Sequence, residues 1–234
     1  MVFLMARLFV NEPEENKERA QTSVRSERPT IFVAFEGSKV EPQYFSSLIV
    51  FLRDNGILDK NVRILDRNRK DGHSHPENVR DGVIEFFKEN PRKYREGDEV
   101  WIVIDLDEHF NIGGKFSKEK FDQFMTTLET EKGMKINLAL SNPCFELWLL
   151  LHYANVQQLD LKKIELQKEE TPSCYCKRLY REKHHSRPGE PAQFVFNAIS
   201  NSSNNILPQE NNEVCVHFGS SVVRLVERLV KKKQ

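Results

Sequence analysis

A chain of 234 residues with 35 Lys+Arg against 35 Asp+Glu is long enough for one large or two small domains, and its zero net charge gives no global pull toward nucleic acid. A nucleic-acid partner would need a local basic surface, for which Arg63, Arg67, Arg69 and Lys70 and the run from Lys177 to Arg187 are candidates, though each also reads as a solvated face. No stretch approaches the roughly 20 apolar residues of a membrane span, and MVFLMARLFV lacks a signal-peptide cleavage site, so the expected compartment is the cytoplasm, with no membrane partner.

Residues 1–29 are polar, charge-rich and end at Pro29, which predicts a flexible arm. TIFVAF, residues 30–35, is an apolar run of strand length, turned by Glu36-Gly37. A helix is expected from about Glu41 to Arg53, with Pro42 in its first turn and Tyr44, Phe45, Leu48, Ile49 and Leu52 on its apolar face. NVRIL from Asn61 reads as a second strand, the segment after Pro76 as a helix with Val79, Val83, Ile84 and Phe87 inward, and VWIVID as a third strand. FSKEKFDQFMTTLETEKG carries an N-cap at Ser117 and a stop at Gly133, and KINLALS supplies a fourth strand. Strands alternating with helices predict an α/β domain over residues 30–142, a mostly parallel four-stranded sheet flanked by helices.

Beyond Ser141 the pattern turns helical, so residues 143–234 are expected to form a helical C-terminal region packed on that domain, with segments around PCFELWLLLHYA, KKIELQKEE, SCYCKRLYREKHH, AQFVFNAISNS and SSVVRLVERLVKKK. In SNP, Ser141 or Asn142 is expected to cap and Pro143 to take the first helical position. Cysteines at 144, 174, 176 and 215 suggest no disulfide framework. Cys174, Cys176, His184 and His185 lack the C-x2-4-C and H-x3-5-H spacings of structural zinc sites, so a thiol-bearing helix is the expectation there.

Acids sit where two apolar strands end: Glu36 after the first, Asp105 and Asp107 after the third. The carboxyl ends of strands in an open α/β sheet form the ligand-binding edge, although acids there also complement the helix N-termini that follow. Asp105 and Asp107, two apart in an extended segment, share a face and can share one cation. Mg2+ or Mn2+ suits them, being held by one or two carboxylates plus substrate phosphate oxygens, and the mutual repulsion of clustered acids makes a cation necessary. Lys39 is placed to meet a phosphate, or is a plain turn lysine. Ser141 and Asn142 end the fourth strand on the same edge and either bind phosphate or cap a helix. Glu146 opens a helix whose next five residues are apolar, and is either a dipole partner or a further site acid. His109 reads as a proton shuttle or an exposed loop residue, and Glu41 as support for its helix N-terminus. No GxxxxGK[ST] occurs, so ATP hydrolysis by this chain is not expected.

The order Glu-Gly, then Asp-x-Asp, resembles the catalytic signature of Toprim domains of topoisomerases, primases and OLD-type nucleases. FEGSKVEPQYF (35–45), VWIVIDLDEH (100–109) and ALSNPCFELWLLLHY (139–153) together resemble the RloB family more closely, from about residue 28 to the C-terminus. That family is regarded as Toprim-like and is encoded in or near bacterial restriction-modification and abortive-infection loci. FGSSVVRLVERL (218–229) resembles its closing helix, but Phe218, Gly219, Ser220 and Ser221 replace the Asn-Pro-x-Thr turn with which that helix often begins. The resemblance implies a Toprim-like fold and a Mg2+- or Mn2+-dependent nuclease acting on DNA or RNA in anti-phage defence. It implies catalysis at Glu36, Asp105 and Asp107, with Glu36 as metal ligand or general acid-base, and a partner ATPase encoded nearby. A non-catalytic, Toprim-like subunit binding nucleic acid or a partner is the alternative, and a homo-oligomer is compatible with either.

Overall fold

A computed structural model of the chain describes residues 28–65, 75–106, 109–112, 115–130, 133–154, 159, 170–184, 187–202 and 218–231. Asp107, Arg67, Arg69, Lys70, His185, Cys215, nearly all of the arm and all but the last residue of KKIELQKEE lie outside them.

Strand β1 (Thr30–Phe35) runs parallel to β2 (Asn61–Ile64) on one side and to β3 (Glu99–Asp105) on the other. A short hairpin, β4 (Asn111–Ile112) and β5 (Lys115–Phe116), follows β3, and β6 (Ile136–Asn142) then pairs parallel with β3. The sheet is mostly parallel, as expected, but holds five strands rather than four. The fifth, β7 (Gly219–Ser220), pairs antiparallel with the end of β6 and gives the order β2-β1-β3-β6-β7. Two residues without apolar periodicity carry no strand signal, and β7 exists because Ser220 and Ser221 find partners on β6. Ser141 and Ser220 share a hydroxyl hydrogen bond of 3.0 Å, and Leu140 N–H donates to Ser221 Oγ at 2.8 Å. The FGSS segment thus locks the last helix onto the sheet.

Both faces of the sheet are covered at its centre, which explains why β1, β3 and β6 read as largely continuous apolar runs, while the edge strand β2 alternates exposed and half-buried residues. Ile31, Val33, Phe35, Trp101 and Val103 point to a core shared with α1 (Val40–Asp54), α4 (Phe145–Leu150), α5 (Pro172–His184), α6 (Val195–Ser202) and α7 (Val222–Leu229). Phe32, Ala34, Val100, Ile102 and Ile104 face α2 (Pro76–Glu89) and α3 (Lys118–Thr126) on the other side. The C-terminal helices therefore extend the layer that α1 begins. Among the described residues no helix is long and apolar enough to cross a membrane.

Helix starts follow local chemistry. Ser117 Oγ accepts from Lys120 N–H at 3.3 Å, and α2 has Pro76 in its first turn with His75 as its cap. Two expectations need correction. Helix α3 ends at Thr126, not near Gly133, because the chain folds back to bridge Glu129 with Lys135, using Gly133 at φ 74° in the turn. Neither Ser141 nor Asn142 caps α4. Both remain in β6, paired with Ser220 and Gly219, Asn142-Pro143 is cis, and α4 begins after Cys144 with no side-chain cap.

A buried polar link ties α1 to the end of α4. The Tyr44 hydroxyl donates to His152 Nε2 at 3.0 Å, while His152 Nδ1–H donates to the Trp148 carbonyl at 3.0 Å. Burial pushes the Tyr44 phenol well above its ordinary pKa and the His152 imidazole down to about 4, so both stay neutral in this geometry.

Candidate metal and nucleic-acid site

The chain passes from β1 out to β2 by way of α1 on one face, then returns across β1 to β3 by way of α2 on the other. Strand order therefore reverses between β1 and β3, and the crevice beyond their carboxyl ends is the general ligand position of such sheets. Glu36 and Asp105 are the residues at those two ends. Register sets them side by side: Phe35 is level with Val103, Glu36 N–H donates to the Val103 carbonyl at 3.0 Å, and Asp105 N–H donates to Glu36 Oε2 at 3.1 Å.

Around them lies a cleft of ≈ 290 Å³ lined by Glu36, Gly37, Lys39, Glu41, Asp105, Glu146 and Lys177, with Ser38, Val40 and Phe145 completing its walls. Helix α1 brings Glu41, α4 brings Glu146 in its first turn, and α5 brings Lys177. Asp107 lies outside the described residues. Ser141 and Asn142 are not in the lining: Ser141 is fully buried with its hydroxyl on Ser220, and Asn142 pairs with Gly219.

Three side chains take places that sequence reasoning did not give them. Glu41 turns into the cleft, 7% exposed, where its Oε1 accepts the Gly37 N–H at 3.1 Å. A Cβ at Gly37 would stand 2.1 Å from Glu41 Oε2, so glycine here makes room for that carboxyl. Burial, then the charges of Glu146 and Glu36, push the Glu41 pKa up to about 7. Lys177, seen in the sequence as part of a basic run, reaches the lining from 141 residues beyond Glu36. His109 is bonded rather than exposed, its Nε2–H donating to Glu36 Oε1 at 2.5 Å. The Glu-Gly-x-x-x-Glu spacing was the available signal for Glu41, whereas nothing local marked the other two.

The donors fit a hard cation. Four carboxylates surround or line the cleft, and no group of three or more His, Cys, Asp or Glu among the described residues forms a ready-made cage. Mg2+ and Mn2+ ask for this arrangement, since they take few protein ligands and complete their shell with water and substrate phosphate. Among the described residues, Glu36 and Asp105 would hold such an ion.

A protein-family model described as RloB-like protein matches residues 31–229. No curated protein and no solved structure matches the chain.

Proposed function

The chain belongs to the RloB-like protein family, and from this membership and the cleft together we propose that it is a Toprim-type, Mg2+- or Mn2+-dependent nuclease cutting phosphodiester bonds of DNA or RNA. The observation that carries the reading is the convergence of Glu36 and Asp105 at the point where strand order reverses, in a cleft that also presents Lys39 and Lys177. Glu36 and Asp105, joined by Asp107 two residues on in the sequence, would hold the cation, which when bound would supply charge neutralisation at the scissile phosphate and activation of water. Glu36 is fixed at both carboxylate oxygens and is positioned to take the proton of the attacking water. Lys39 and Lys177, both in the cleft lining, would meet the phosphodiester as point charges, and Lys177 brings the basic helix α5 to the cleft. A role in anti-phage defence beside a separate ATPase is supported by the family resemblance.

Purified protein incubated with plasmid, single-stranded DNA and tRNA in Mg2+, Mn2+ or EDTA is expected to show metal-dependent cleavage of at least one substrate, lost in Asp105→Asn. Binding without cleavage under every metal condition would turn the reading toward a non-catalytic binding subunit. Glu146→Gln is expected to lower cleavage about tenfold or more, as removal of a supporting carboxylate does, while changing stability by no more than about 1 kcal/mol. Full activity in that variant would leave Glu146 as a helix-dipole partner alone.

A further inference from the structure

Leu106, His109 and Phe110, the described residues of the loop after β3, are each tied to neighbouring elements. Leu106 N–H donates to the Ser141 carbonyl at 2.9 Å, and Leu106 and Phe110 are both buried. Phe110 packs edge-on against Phe121 at 5.0 Å, and its carbonyl accepts the Ser117 N–H at 2.6 Å. Lys120 Nζ donates to the His109 carbonyl at 2.7 Å. Helix α3 and its N-cap thus hold the backbone at His109 and Phe110, β6 holds it at Leu106, and the His109 side chain turns toward Glu36.

At Glu36 two donors arrive from different segments. Asp105 N–H serves Oε2 and His109 Nε2–H serves Oε1, so the carboxylate is held in plane and rotation. The His109 and Glu36 side chains are 21% and 10% exposed, which removes the pair from the class of solvent-screened surface bridges that contribute little. Behind His109 stands His75, ring centroids 5.3 Å apart and edge to face. His75 is itself anchored, because its Nδ1 accepts the Glu77 N–H that begins α2.

We infer that His109 is a positioning residue that holds the Glu36 carboxylate in its working orientation, with His75 as the support that holds His109. This rests on the nuclease reading. A carboxylate at a strand end, followed by glycine, has several rotamers open to it, and a displacement of about 1 Å at a reacting group can cost on the order of 10²-fold in rate. Hydrogen-bond partners of ligating carboxylates have the same consequence for metal affinity, about 10- to 100-fold.

The test compares His109→Ala, His109→Gln and His75→Ala with wild type in the full chain, reading Mn2+ affinity by calorimetric titration of the metal alone, and kcat and KM on whichever nucleic acid the wild type cuts. Gln carries an N–H donor to the reach of Nε2 but cannot take up and pass on a proton. His109→Ala is expected to lose about 10- to 100-fold in Mn2+ affinity and in kcat with KM nearly unchanged. His109→Gln is expected to recover most of both, and His75→Ala to show a smaller loss of the same kind. Circular dichroism and a cooperative melt establish that each variant folds. Wild-type Mn2+ affinity and kcat in His109→Ala overturn the inference and leave the nuclease reading standing. A folded His109→Gln as impaired as His109→Ala also overturns it, since the hydrogen bond alone would then not account for the role. Wild-type protein that neither binds Mn2+ nor cuts any substrate overturns the nuclease reading, and this inference with it.

Discussion

Glu36→Gln is expected to lower single-turnover cleavage by about 10²- to 10⁴-fold, the range for losing general acid-base assistance, while nucleic-acid binding persists. The geometry sharpens this. Glu36 accepts at both oxygens, from Asp105 N–H and from His109 Nε2–H, and an amide offers one oxygen and one NH2 group. Asp105 N–H can only donate and claims the amide oxygen, so His109 keeps its contact only by moving its proton to Nδ1 and accepting from the NH2 group; the variant loses the base and changes its hold. Lys39 and Lys177, the proposed phosphate contacts on other elements, are untouched, and equilibrium binding of a fluorescently labelled strand should stay within a few-fold of wild type. Cleavage at the wild-type rate, measured with enzyme in excess and Mn2+ saturating, would remove Glu36 from the chemistry.

The second large effect concerns stability between pH 4 and pH 7, where two buried groups pull in opposite directions. Burial lowers His152 to about 4 from an ordinary 6.5, so the unfolded chain takes up its proton first on acidification. The stability this neutral imidazole contributes is present above pH 6.5 and is lost as pH falls toward 4, about 3 kcal/mol at 1.36 kcal/mol per unit. Glu41 is raised to about 7 from 4.5, first by burial and then by Glu146 and Glu36, so the folded chain holds its proton longer. Its contribution is complete below pH 4.5 and is lost as pH rises through 7, again about 3 kcal/mol. Between pH 4.5 and 6.5 the two slopes cancel.

Urea unfolding in EDTA across this range separates them. Relative to wild type, Glu41→Gln should gain about 3 kcal/mol as pH rises from 4.5 to 7, because Gln keeps the Gly37 hydrogen bond and no longer titrates. His152→Gln should show the reverse trend, gaining relative to wild type as pH falls from 6.5 to 4. Differences from wild type that stay constant with pH in both variants would show that neither group is held as its burial implies.

Much of this molecule was legible along the chain. The doubly buried strands announce themselves as unbroken apolar runs, and Ser117 and Pro76 mark helix starts by chemistry confined to one turn. Glu36 and Asp105 could be placed at strand ends for the same reason: a strand's end is local. Strand order is not. Helices on opposite faces decide that β3 returns beside β1, and that choice brings Glu36 within one residue of Asp105 in register, close enough for the Asp105 N–H to reach its carboxylate. The strand β7 depended on hydroxyls of Ser220 and Ser221 meeting β6 some 80 positions away in sequence, which no two-residue pattern can specify. His109 carries no sign of its partner, since the exposure of a loop residue is settled by whether the neighbouring elements leave it a donor's place. Glu41 suits a helix N-terminus equally well pointing outward. The close approach permitted by Gly37 let it turn inward, and burial beside α4, with the charges of Glu146 and Glu36, raised its pKa. Short-range periodicity and capping determined the elements and the identity of the two central acids. Long-range packing alone decided which charged side chains share the cleft, because burial and electrostatic proximity are properties of the assembled layers.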